Sequence, residues 1–116
     1  MFEQAIRAAI REHPDLTAFG FGTYCGQDTF IRDQCQLFET ETAFELAVDF
    51  IRSTGFKRHV DRHQDSYTLK HRCESWAGHA HWVPNGAFIA ALHFWGADMR
   101  RDGPNAICNL RKVRPI

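Results

Sequence analysis

Apolar residues recur at three- and four-residue intervals in several stretches of this chain, and each such stretch predicts a helix. Phe2, Ala5, Ile6, Ala9 and Ile10 mark an amphipathic helix over residues 2–13, stopped by Pro14. Phe30, Ile31, Cys35, Leu37 and Phe38 suggest a short helix over 29–38. Phe44, Ala47, Val48 and Ile51 form one stripe over 42–53. Thr42 and Glu45 there match a capping box, and Gly55 suits the left-handed position after the last turn. A helix over 66–77 follows, with Ser66 as its expected cap and Leu69, Cys73, Trp76 and Ala77 on its core side. The last helix, 85–96, is capped by Asn85 and has no polar face. His93 is its single polar side chain between Gly86 and Gly96, so it reads as a buried scaffold helix.

The remaining segments are less periodic. Phe19, Phe21 and Tyr24 alternate among Gly20, Gly22 and Gly26, which fits a short strand or a loop over 16–26. Residues 57–64 are polar and basic, with Val60 as the one aliphatic, and read as a connector or a surface helical turn. Residues 79–84 read as a loop, 97–105 as turns around Gly103 and Pro104, and 106–113 as a final strand. The expected fold is therefore mainly α: about five short helices with one or two short strands, an α+β arrangement being the alternative. Residues 1–116 fit a single globular domain.

Composition supports a packed core. The 116 residues are 44% hydrophobic and include ten Phe and three Trp, which bury large areas each. Net charge is zero, but it is unevenly spread. Residues 1–56 carry four Lys/Arg against nine Asp/Glu, net −5, and residues 57–116 carry ten against five, net +5. Six of the seven histidines also fall in the second half. The four cysteines, Cys25, Cys35, Cys73 and Cys108, include no CxxC pair, which argues against a zinc ribbon or a thioredoxin-like site. Residues 1–10 lack the basic start and apolar run of a secretory leader, so reduced thiols and a cytoplasmic location are expected. Residues 87–95 are too short an apolar run to cross a bilayer, and no membrane association is expected.

Three constellations could carry chemistry. Tyr67, Lys70, His71 and Glu74 stand at i, i+3, i+4 and i+7 and are neighbours on one helix face. A phenol, an ammonium, an imidazole and a carboxylate together suit proton transfer, phosphate binding or protein contact, although a solvated face with a Lys70–Glu74 ion pair is the plainer account. His59 with His63, and His79 with His81, have spacings that metal ligands use. The Glu of the HExxH signature is missing, so these four are weak metal candidates. Arg58, Arg62, Lys70, His71 and Arg72, with the aromatics Tyr67 and Trp82, could track a phosphate backbone and stack bases. The apolar 85–96 helix lacks base-reading side chains, which excludes a helix-turn-helix reader built on it. No glycine-rich phosphate loop, serine nucleophile elbow or nucleotide fingerprint is present, so no cofactor is expected. Asn105 and Asn109 read as turn-capping residues.

The motifs Ser66-Tyr67-Thr68-Leu69-Lys70-His71, Glu74, Asn85-Gly86-Ala87-Phe88-Ile89-Ala90-Ala91, Gly103-Pro104-Asn105-Ala106 and Asn109 resemble a pattern in small uncharacterised bacterial proteins of plasmids, phages and other mobile elements. The resemblance spans roughly residues 44–110, and the family has no established activity. His79-Ala80-His81 lies where that pattern has a shorter connection. The resemblance implies a mobile-element setting and no mechanism. Together with the basic second half, it leads to an expected accessory protein that binds nucleic acid through residues 57–82. A modulator of a host defence complex and a small enzyme using Tyr67, Lys70, His71 and Glu74 are the alternatives.

Overall fold

The computed structural model describes residues 1–22 and 26–112. Tyr24 and Cys25, Val113 at the end of the expected last strand, and Arg114 of the basic half lie outside them. The chain runs α1 (Phe2–Glu12), β1 (Leu16–Thr17), β2 (Gly20–Phe21), α2 (Gln27–Cys35), a 3-10 turn (Gln36–Glu39), α3 (Glu41–Thr54), β3 (Phe56–Asp65), α4 (Ser66–Trp76), α5 (Asn85–Phe94), β4 (Met99–Asp102) and β5 (Asn105–Leu110). Among the described residues, five α-helices and five strands in two antiparallel sheets make this an α+β fold, which corrects the mainly α expectation. One sheet is the small β1–β2 hairpin, and the other has the order β3-β5-β4.

The missed strands explain the error. Residues 57–64 are not a connector or a helical turn: they belong to β3, which pairs with β5. Pairing falls at Phe56 with Leu110, Asp61 with Cys108 and Asp65 with Ile107, so the register shifts twice along the pair. Side chains on such a strand do not alternate regularly, and the period-two signal is lost. The middle of the segment read as turns, 97–105, is β4, a short edge strand of largely charged residues closed onto β5 through Gly103 and Pro104. Such an edge resists pairing with other chains and carries little apolar pattern.

Helix α5 is the post at the centre of the fold. Ala87, Phe88, Ile89, Ala90, Ala91 and Leu92 are fully buried. Helices α1, α3 and α4 and strand β5 all pack against it. Phe50 and Phe88 stack at a tilt with centroids 6.1 Å apart, and Phe44 meets Phe2 edge-on at 5.3 Å. Each fully buried Phe contributes about 1.5–3 kcal/mol. Phe94 and Trp95, by contrast, reach the surface at the helix end. Trp76 is also exposed rather than core, its ring edge resting on Phe50 at 5.7 Å.

The helix starts differ from the expected caps. Helix α3 begins at Glu41 after Thr40, without a capping box, and the Thr40 hydroxyl donates to Leu37 O. Asp65 rather than Ser66 caps α4, its carboxylate accepting from the Thr68 amide at 2.9 Å. Pro84 precedes α5, and Asn85 is the first helical residue with its side chain used elsewhere.

Two glycines allow three segments to converge. A Cβ at Gly86 would stand 1.9 Å from Thr17 O, and one at Gly20 would stand 2.2 Å from Pro104 O. Only glycine permits such approaches. The Gly86 amide donates to Ala18 O and the Phe21 amide to Pro104 O, locking residues 17–21, 85–86 and 104–105 together.

Candidate functional site

Helix α4 runs directly out of β3 and sits between the sheet and α5. Its first residue, Ser66, is buried, and its hydroxyl accepts from the Ala106 amide at 3.0 Å. That bond fixes the start of α4 on β5. One turn on, the predicted stripe is assembled. The rings of Tyr67 and His71 meet edge-on with centroids 4.7 Å apart. The Lys70 ammonium lies 5.1 Å from the Tyr67 ring centre and 5.9 Å from that of Trp82.

Lys70 does not project into solvent as the solvated-face account requires. Its side chain is 6% exposed, against 51% for His71. An ammonium is rarely buried without a task or a partner. Its ion pair with Glu74 is long, 3.8 Å from Nζ to Oε2, beyond hydrogen-bonding distance. Glu74 is committed elsewhere. Its Oε2 accepts from the Val83 amide at 2.7 Å, and its Oε1 meets His71 Nδ1 at 2.9 Å. Burial pushes the Glu74 carboxyl up, but the Val83 amide, the His71 hydrogen bond and the Lys70 charge outweigh it and hold the pKa below the ordinary value. An ionised carboxylate only accepts, so Nδ1 of His71 carries the hydrogen and Nε2 is left as the basic nitrogen.

The helix stripe forms one wall of a concave pocket of about 560 Å³. Trp82, Phe19, Pro104, Asn85 and Asn105 complete it. Sequence reading missed Phe19, Asn85 and Asn105 as site residues, because only the glycine-mediated crossing brings them near α4. Asn105 does not act as a simple turn cap: its Oδ1 accepts from Asn85 Nδ2 at 2.9 Å. Asn109 is buried and ties the sheet together, accepting from the Asp98 amide and donating to Lys57 O. The motifs at residues 66–74, 85–86 and 103–106 were the available signal. These three separated motifs meet around this pocket or beneath it.

The other candidates lie outside the pocket. Arg58, His59, Arg62 and His63 are exposed on β3, Arg72 is exposed on α4, and His79 and His81 are exposed in the loop before α5. Among the described residues, no group of three or more His, Cys, Asp or Glu could hold a metal ion. Lys57 is consumed locally, donating to Asp61 at 2.6 Å. That bond, with the His63 amide, lowers the Asp61 pKa to about 2. Arg111 and Lys112 follow β5 beside β3. Arg111 Nε donates to Phe56 O, and Lys112 is close enough for its charge to act on Asp61. Cys35, Cys73 and Cys108 are free thiols. No described helix is long and apolar enough to cross a membrane.

No protein-family model, curated protein or solved structure matches this chain.

Proposed function

We propose that this protein binds nucleic acid as an accessory factor of a mobile element, using the basic edge of the β3–β5 pair and the pocket beside it. The observation that carries the reading is the gathering of Arg58, Arg62, Arg111 and Lys112, all exposed, along one strand pair. These cations can neutralise successive phosphates, and β3 leads straight into α4, where Tyr67, together with Trp82 of the loop that follows the helix, offers an exposed ring for stacking. Lys70 is withdrawn from this edge and serves the pocket instead. Arg72 is exposed on α4.

Fluorescence anisotropy with a labelled single strand, titrated at increasing salt, tests the reading. Affinity should fall linearly on logarithmic axes, with a slope of about −0.7 for each phosphate neutralised. Arg58→Ala with Arg62→Ala should flatten that slope by more than one unit. Absence of binding at low salt to both single- and double-stranded DNA and RNA would sink it.

A second reading, a small enzyme, is favoured by the Glu74–His71 pair, in which a partly buried carboxylate orients an exposed imidazole at a concave site. Turnover of a nucleotide or short strand that His71→Ala abolishes would establish it. Unaltered substrate after prolonged incubation counts against it.

A further inference from the structure

We infer that the pocket formed by Tyr67, Lys70, Trp82, Asn85 and Asn105 holds one nucleoside phosphate, free or as an unstacked unit of a strand. The inference rests on the nucleic-acid reading for the second source and stands apart from it for the first.

Three separate needs of the pocket converge on this ligand. The first is a donor. Asn85 is 5% exposed, and its Oδ1 is a buried acceptor with no hydrogen-bond partner. Its orientation is fixed, because Nδ2 faces Asn105 Oδ1 at 2.9 Å and the carbonyls of Phe19 and Pro104, each at 3.4 Å. Turning the amide over would set oxygen against three oxygens. Asn85 lines the pocket, so an N–H group of a ligand that displaces the cover over this atom would supply the partner it lacks.

The second need is an anion. Glu74 is held by Val83 and His71 and leaves Lys70 Nζ 3.8 Å away, so the ammonium keeps hydrogens to donate. A phosphate accepts them. The third need is a flat apolar surface. Phe19, Tyr67 and Trp82 expose 43%, 52% and 63% of their areas around one opening. A heteroaromatic ring covers such faces and carries the N–H that Asn85 requires. The volume of about 560 Å³ lies within the usual small-ligand range of roughly 300–1,000 Å³. A second concavity, on which Trp82 also borders, is lined by Glu39 and Glu41 and would repel the same anion.

Calorimetric titration with a mononucleotide, the matching nucleoside and inorganic phosphate tests the inference, with single-strand binding measured on the same samples. The mononucleotide should bind at least about tenfold more tightly than either fragment. Lys70→Met should reduce the nucleotide to the affinity of the nucleoside. Trp82→Ala, a change at an exposed position, should weaken both by about tenfold or more, and it provides the test if Lys70→Met fails to fold. Equal binding of nucleotide and phosphate overturns the inference in favour of a simple anion site. Strand binding without mononucleotide binding, unaffected by Trp82→Ala, overturns it while leaving the basic edge intact. Mononucleotide binding without strand binding upholds the pocket for the free ligand and removes the nucleic-acid reading.

Discussion

Helices α4 and α5 have nearly the same length, lie side by side and do opposite work. Eight of the ten residues of α5 are buried, and all are apolar or small except Asn85. Only four of the eleven in α4 are buried, and those four include a serine and a lysine. The apolar helix has no choice of environment, since any exposed face would cost hydrophobic free energy. The mixed helix is held by fewer contacts and specific hydrogen bonds, which frees its remaining side chains to build a site. Burial of a charge on α4 is the point at which stability and function separate.

The largest effect should come from breaking the post. Phe88→Ala removes a fully buried ring and should cost about 3–5 kcal/mol, read from chemical denaturation. An intermediate effect should come from Glu74, and it should depend on pH. Its folded pKa is lowered from 4.5, so the ionised carboxylate contributes stability above that value and loses it as pH falls through the lowered one. Wild type should therefore exceed Glu74→Gln in stability by a constant margin near neutral pH. That margin should close below pH 4.5 in urea melts, and a gap independent of pH would break the assignment. The smallest effect should come from Lys70→Met. The variant relieves the desolvation of a buried ammonium but removes a charge that favours the ionised Glu74 only across a long contact, so stability should change by about 1 kcal/mol while nucleotide affinity falls to that of the nucleoside. A loss as large as that of Phe88→Ala would make Lys70 a structural residue and erase the contrast between the helices.

The same contrast explains what could be read from sequence. The absence of any polar face over residues 86–92 sufficed to identify α5 as scaffold, because that pattern has one physical solution. The i, i+3, i+4, i+7 spacing sufficed to make neighbours of Tyr67, Lys70, His71 and Glu74. It could not tell which of them the sheet and Trp82 would cover, so Lys70 was expected at the surface. Strand β3 left no trace in the pattern. Its irregular pairing is held by Gln64, which donates to Leu110 O and Arg111 O, and by Asn109, which reaches Lys57 O. Those bonds link residues some fifty positions apart, and no local period reports them. Phe19, Asn85 and Asn105 were hidden for the same reason. Asn85 in particular looks like a helix cap in sequence, yet the preceding Pro84 takes that position and releases its amide to the pocket.

The crossing at Gly20 and Gly86 also sets an order in time. The pocket draws walls from residue 19, from 67–71, from 82–85 and from 104–105, so it exists only after both ends of the chain have closed on α5. Such distant closures form late, because loop entropy must be overcome before their contacts can form. A ligand seated there would bridge segments that are far apart in sequence. It should therefore act chiefly as a brake on unfolding, leaving the rate of folding almost unchanged.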